Sequence, residues 1–316
     1  MSRILYIGAP EAPAAAFSRF VRADFPGIDL AATDDRDAAL AQAHEAAAII
    51  AHHFQFDEEM LRRAGRLGWI QSLTTGTDAI LRLANLRSQV VVTSTRGMHG
   101  PQMSELVFLQ MLAMARDFPR MLRNQERAVW ERWPQPLLYG KVVGIVGVGA
   151  IAEALAPRCR AFGMQVIGIS RSKRVPEGFD EICGREMLDE VAGRVDFLVL
   201  IVPHSSNTES LVDARVIERM KPTAYLINVA RGGVLDEDAL LHALRERRIA
   251  GVALDVFRRT PLPAEHPFWR EPRVLLTPQI GGMSDVYLDQ AYPVVRHNLE
   301  AFLAGRPETM WNVVAH

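Results

Sequence analysis

Short apolar runs alternate with longer amphipathic stretches over nearly the whole chain, and that alternation predicts an α/β fold with parallel sheets. In the first third the strand candidates are Ile4–Ile7, Leu30–Thr33, Ala48–Ala51, Trp69–Leu73 and Val90–Thr93. Helical periodicity falls between them, over Ala12–Ala23 and over Asp57–Ala64, where Asp57 stands before Glu58 and Glu59 as an N-cap would. A long amphipathic segment then runs from Pro101 to about Trp130. Pro101 suits a first helical turn and Pro119 predicts a break.

A second series starts at Lys141, with strands expected at Val142–Val146, Gln165–Ile169, Phe197–Val202, Ala224–Asn228 and Ile249–Leu254. Pro134, Pro136 and Gly140 precede it as boundary residues. A last helix, Asp285–Leu303, is closed by Gly305 and Pro307. The two series repeat an architecture without repeating a sequence. A chain of 316 residues also exceeds what one hydrophobic core usually supports, so two domains are expected.

Composition narrows the function classes. Lys+Arg of 36 against Asp+Glu of 37 leaves a net charge of −1, which points away from nucleic acid and anionic membranes as partners. The densest apolar run, Phe197–Val202, is far shorter than the roughly 20 residues of a membrane span. Pro10 and Glu11 interrupt the N-terminal apolar stretch too early for a signal peptide, so a cytoplasmic protein is expected. Cys159 and Cys183, without CxxC spacing, predict neither a disulfide framework nor a zinc site.

The strongest local signal is Lys141–Ala152, KVVGIVGVGAIA, in which a buried strand runs into Gly147-Val148-Gly149-Ala150-Ile151-Ala152. The first glycine permits a tight turn, and the second lets backbone N–H groups approach a pyrophosphate at a helix N-terminus. A strand at Gln165–Ile169 completes the βαβ unit that gives the pattern its meaning. An NAD-specific site places Asp or Glu at the end of that strand to hold the ribose hydroxyls. Here the chain reads Ile169-Ser170-Arg171-Ser172-Lys173-Arg174, without a carboxylate. Arg171 with Ser170 and Ser172 suits a 2′-phosphate, which favours NADP(H) over NAD(H). A solvated basic loop is the plainer alternative.

Further motifs carry a resemblance. Asn228–Glu237 (NVARGGVLDE), Gly251–Phe257 (GVALDVF), Pro261-Leu262-Pro263 and His266-Pro267 occur in order. Upstream stand Thr75-Gly76-Thr77-Asp78 and Val92-Thr93-Ser94-Thr95 with Ser104-Glu105. The chain resembles the D-isomer-specific 2-hydroxyacid dehydrogenases, of the glyoxylate/hydroxypyruvate reductase-like kind, over essentially its whole length. The resemblance implies a discontinuous substrate-binding domain (1–100 and 285–316) and a dinucleotide-binding Rossmann domain (101–284). It implies a homodimer through the 101–130 segment. It places the cofactor on Gly147, Gly149, Ala150, Ile151, Pro203, Val229, Ala230, Gln279 and Gly281, beside Ser170, Arg171 and Ser172, with Asp255 at the nicotinamide carboxamide. Thr75 and Gly76 correspond to the loop that receives the substrate carboxylate. Arg231 corresponds to the substrate arginine, whose guanidinium fork binds a carboxylate and polarises the adjoining carbonyl. Gln55, Met98, His99 and Trp133 are expected around the substrate side chain.

Two positions depart from the family pattern. Its acid is a histidine within T-P-H, and this chain reads Thr277-Pro278-Gln279. The acidic partner of that histidine falls directly before Pro261, where this chain has Thr260. A carboxylate–histidine pair keeps a proton available near neutral pH, whereas glutamine donates a hydrogen bond but delivers no proton. General acid catalysis is worth roughly 10²–10⁴-fold. His99, His53 and Tyr292 are the substitute acids to weigh. The leading expectation is an NADP(H)-dependent reductase of a small 2-keto acid. A cofactor-binding sensor or partner-binding protein is a second reading, and a hydride-only dehydrogenase needing no histidine is a third.

Overall fold

A computed structural model of the chain describes residues 2–172 and 174–315. Lys173, part of the basic turn above, lies outside them. The N-terminal elements are β1 (Arg3–Ile7), α1 (Ala14–Asp24), β2 (Leu30–Thr33), α2 (Arg36–Gln42), β3 (Ala46–Ala51), α3 (Glu58–Arg63), β4 (Trp69–Ser72), α4 (Asp78–Leu81) and β5 (Val91–Ser94). The central elements begin with α5 (Gly100–Ala115), α6 (Phe118–Glu126), β6 (Val142–Val146), α7 (Ala150–Ala161), β7 (Gln165–Ile169) and β8 (Glu181–Cys183). They continue with α8 (Leu188–Arg194), β9 (Phe197–Leu200), α9 (Ala214–Arg219), β10 (Tyr225–Asn228), α10 (Glu237–Arg245), β11 (Gly251–Leu254) and β12 (Val274–Leu276). Helix α11 (Tyr287–Leu303) and strand β13 (Val313–Ala315) close the chain. Two compact units result, one of residues 1–98 with 283–316 and one of 99–282.

In the first unit six strands are ordered β13-β5-β4-β3-β1-β2, and all pairs are parallel except β13 against β5. Alternation along the strands explains the layers. Ile4 and Tyr6 join Phe17, Trp69, Tyr292 and Leu299 on one side of the sheet, while Leu5 and Ile7 join Ile49, Met60 and Ile70 on the other. Strands buried on both faces read as continuous apolar runs, which is why they were visible in the sequence. The strand order reverses between β1 and β3.

The second unit holds seven parallel strands, ordered β12-β11-β10-β9-β6-β7-β8. Val143, Ile145, Val166 and Phe197 point to one core; Val146, Ile167, Leu198 and Leu226 point to the other. Here the order reverses between β6 and β9. In sheets of this kind ligands bind outside the carboxyl ends of the strands at such a reversal.

Several expectations are corrected. The 101–130 helix is two helices, and the break falls at Asp117, whose φ is +49°, rather than at Pro119. Pro119 sits in the first turn of α6, where its missing N–H costs nothing. Strands β8, β12 and β13 were not expected, since each has only three residues and shows no period of its own. Strand β13 also adds an antiparallel edge to a sheet expected to be parallel.

Candidate functional site

In the second unit, the strand–turn–helix after β6 is a built cradle. Gly147 has φ +100°, and a Cβ on it would lie 2.8 Å from the backbone of Val202. Gly149 caps α7 with no side chain over the first turn, and a Cβ there would meet nothing within 4 Å. The first-turn N–H groups of a helix have no partner within it, and here exposed Ala150 and half-buried Ile151 stand in that turn. These N–H groups fit the pyrophosphate of a dinucleotide. Ala152, the third fingerprint position, is fully buried against the sheet.

The turn after β7 is folded on its own hydroxyls. Ser170 Oγ accepts from Ser172 N at 3.1 Å, and Ser172 Oγ accepts from Arg174 N at 3.3 Å. Arg174 pairs with Glu153 on α7, so that carboxylate is engaged, while Arg171 is exposed. Pro203, at the reversal, accepts through its carbonyl from Thr208 Oγ1 at 2.8 Å.

Strand β10 delivers Val229, Ala230 and Arg231. Asn228 shapes that turn: its Oδ1 accepts from Ala230 N at 3.0 Å and its Nδ2 donates to Arg231 O at 3.1 Å. Arg231 Nη1 donates to Ala230 O at 2.7 Å. The next residue, Gly232, abuts the loop after β11 so closely that a Cβ would fall 1.9 Å from the carbonyl carbon of Phe257.

Asp255 follows β11 and is buried. Its carboxylate accepts from Thr277 Oγ1 at 2.6 Å and from the backbone N–H groups of Ile280 and Gly281, both at 3.1 Å. Burial pushes its pKa up and these three bonds pull it back, leaving it above the usual carboxylate value. Asp255 thus pins the turn that carries Gln279, whose φ is +56° and whose side chain is exposed. Gly281 is confined by the same carboxylate, since a Cβ there would lie 3.0 Å from Asp255 Oδ2. Thr260 lies exposed on the loop after β11. His99 is buried at the N-cap of α5, its ring 3.3 Å from where Gly282 would carry a Cβ. Trp133 packs under Arg120, whose guanidinium carbon is 4.3 Å from the ring centre.

A charged network occupies the same strand ends, around His204, which follows Pro203 where the resemblance places the adenosine. His204 pairs with Glu209, and Arg258 Nη2 donates to Ser210 Oγ at 2.6 Å and lies 3.5 Å from Glu209. His204, Glu209 and Ser210 share the loop after β9, and Arg258 reaches them from the loop after β11.

In the first unit, the β1–β3 reversal gathers a polar cluster. His52 is buried, with Nε2 3.1 Å from Glu11 Oε1, and this contact holds the Glu11 carboxyl below its ordinary range. Gln55 spans the reversal, donating to Gly8 O at 2.7 Å while accepting from His52 N at 2.9 Å. His53 Nδ1 lies 2.9 Å from Thr74 Oγ1, beside exposed Thr75 and half-buried Gly76. Met98 is buried in this unit's core. Tyr292 donates to Asp24 at 2.8 Å and to Phe20 O at 3.0 Å, and burial raises its pKa. Those bonds make it a brace between α11 and α1, not an acid. Glu11, His52 and Thr74 were missed by sequence reasoning; only the strand order reveals them.

Among the described residues no three His, Cys, Asp or Glu side chains converge as a metal site, and no helix is long and apolar enough to cross a membrane. Both cysteines are free and buried.

Residues 108–281 match the family model described as the D-isomer specific 2-hydroxyacid dehydrogenase NAD binding domain. A glyoxylate reductase of Thermococcus litoralis is 35% identical over 260 residues, covering 79% of this chain and 78% of that protein. A D-3-phosphoglycerate dehydrogenase of Methanocaldococcus jannaschii is 32% identical over 81% of this chain, and the match spans 49% of that longer protein. Among solved structures, a D-isomer specific 2-hydroxyacid dehydrogenase family protein from Aeromonas salmonicida has a TM-score of 0.90 at 31% identity, covering 99% of this chain and 98% of the other. An NADPH-dependent glyoxylate/hydroxypyruvate reductase from Sinorhizobium meliloti, solved with NADP and sulfate, has a TM-score of 0.83 at 29% identity, covering 99% and 98%. With the dinucleotide cradle, the doubly wound sheet and the arginine turn in one unit, these likenesses make the chain a member of the D-isomer specific 2-hydroxyacid dehydrogenase family.

Proposed function

We propose that the protein is an NADP(H)-preferring reductase of small 2-keto acids such as glyoxylate, hydroxypyruvate or pyruvate. The observation that carries this reading is Arg231, held at the carboxyl end of β10 by Asn228 and by the close seat of Gly232. The pyrophosphate cradle stands in the same unit. Reduced nicotinamide, when bound, supplies a hydride to the 2-carbon of the acid. Arg231 grips the carboxylate through two N–H bonds and draws charge from the adjoining carbonyl. Gln279 donates a hydrogen bond and keeps its protons. Asp255 acts by holding the Gln279 turn in its left-handed geometry. Ser170, Arg171 and Ser172 receive the 2′-phosphate, in a turn without a carboxylate to repel it. The S. meliloti relative, named as NADPH-dependent, supports the same preference.

The surface around α5 and α6 supports a homodimer. Leu109, Phe118 and Leu122 are exposed there, and Trp130 is 93% exposed. Apolar groups exposed together mark an interface.

The assay is oxidation of NADPH and of NADH against a panel of 2-keto acids, with Gln279→His and Arg231→Ala beside the wild type. Turnover preferring NADPH, lost in Arg231→Ala, is expected. The pair Thr260 and Gln279 favours one other reading, a cofactor-binding sensor. Tight NADPH binding without turnover, in wild type and Gln279→His alike, would select it.

A further inference from the structure

We propose that Gln110, on α5, is a positioning residue of the cofactor site, acting through Thr277 to keep the Asp255 carboxylate an acceptor for the nicotinamide carboxamide. The inference rests on the reading of Asp255 as the partner of that carboxamide, and every residue it uses lies in the second unit.

Sheet register brings two of the three residues together. Leu254 pairs with Leu276 across β11 and β12, so the residues that follow, Asp255 and Thr277, leave the sheet side by side. The third comes from α5, 167 residues before Thr277. Met103, Leu106 and Gln110 recur at helical spacing on one face of that helix, and this face meets the Asp255 turn. A Cβ on Gly281 would lie 2.6 Å from Leu106 Cδ2 and 3.0 Å from Met103 Sδ. Gln110 is the polar member of these three and is fully buried.

The hydrogen bonds run in one direction. Gln110 Nε2 donates to Thr277 Oγ1 at 3.2 Å, and Thr277 Oγ1 donates to Asp255 Oδ1 at 2.6 Å. A hydroxyl has one proton, and here it goes to the carboxylate. Reversing the Gln110 amide would set its oxygen against an oxygen with no proton left to give, so Nε2 is the atom that faces Thr277. The backbone N–H groups of Ile280 and Gly281 reach Oδ1 and Oδ2 respectively, so both oxygens of Asp255 accept. Among the described residues Oδ2 takes the Gly281 bond alone, and it retains a lone pair for an amide N–H.

The other end of Gln110 separates positioning from packing. Its Oε1 is buried and meets no donor among the described residues. An apolar side chain of the same length would escape the penalty of burying an unmatched acceptor. The glutamine therefore adds nothing to the core that methionine would not, and its N–H is the group the site uses.

The test compares wild type with Gln110→Met, Gln110→Glu and Asp255→Asn. Calorimetry measures affinity for NADPH and for 2′-phospho-ADP-ribose, which lacks the nicotinamide. Urea unfolding measures the stability of the ligand-free protein. Gln110→Met keeps the volume and loses the N–H. It should bind NADPH about 3–10-fold more weakly, bind the phospho-ADP-ribose as wild type does, and unfold at the same urea concentration or a higher one. In Gln110→Glu a carboxylate competes for the Thr277 proton, so the loss for NADPH should be larger and again confined to it. Equal weakening of both compounds in Gln110→Met, unchanged NADPH binding, or a lower urea midpoint would overturn the proposal. Asp255→Asn keeps the two readings apart. Selective loss of NADPH affinity there, without one in Gln110→Met, would leave Asp255 in its role and remove Gln110 from it. NADPH affinity untouched by Asp255→Asn would overturn both.

Discussion

A methyl group at Gly232 would overlap the backbone of Phe257 and Arg258 at 1.9–2.2 Å, and no rotamer relieves a clash between main chains. Gly232→Ala must therefore push apart the loops that follow β10 and β11, just beyond Arg231. A loss of about 1–3 kcal/mol is expected from such overpacking, seen as a lower urea midpoint, together with a raised KM for the keto acid. Glu11 makes a prediction of a different kind. Its pKa in the fold lies below the ordinary value of 4.5, chiefly through the bond to His52. The stability this confers is present above the ordinary carboxylate range and is lost as pH falls through the lowered value. Glu11→Gln should melt lower than wild type at pH 7, and the difference should close on acidification. Thermal melts at stepwise pH check it; a gap that widens toward acid contradicts the assignment.

At the scale of elements, short helices depend on their caps. Asp236 accepts from Asp238 N at 3.1 Å and Ala239 N at 3.0 Å, opening α10 a few residues after Arg231. Asp236→Ala should cost about 0.5–2 kcal/mol, measurable by urea unfolding. The turn after β7 tests the cofactor preference. Arg171→Ala removes a charge-assisted bond to a 2′-phosphate, worth roughly 1.5–3 kcal/mol, so NADPH affinity should fall about 10–100-fold. NADH affinity should stay put, and an equal fall for both would mean that Arg171 reads something common to them. Capping was legible in the sequence at Asp57, which accepts from Met60 N at 2.8 Å as its place before Glu58 and Glu59 implied. The α5–α6 break was placed wrongly because the turn is made by Asp117 in a left-handed conformation, a state no residue type dictates.

For the whole molecule, the exposed apolar groups of α5, α6 and the segment after them bear on assembly. Leu122→Asp should shift the protein toward monomer in size-exclusion chromatography with light scattering, without changing its circular dichroism. An unchanged mass would place the interface elsewhere.

Much of this protein is local and hence legible in one dimension. Strands buried on both faces must be apolar throughout, and a pyrophosphate turn must have glycine where φ is positive and where backbone approaches ligand. Gly147 and Gly149 therefore announce themselves, as does a β7 turn without a carboxylate. The tertiary structure decided what depends on strand order and on contacts between distant loops. It set Glu11 against His52, 41 residues on. It tied His53 to Thr74 and used Asp255 to hold the Gln279 turn. Those arrangements rest on where β1, β3 and β4, or β10, β11 and β12, end beside one another. No spacing along the chain encodes that adjacency, because it is closed by parallel pairing across helices.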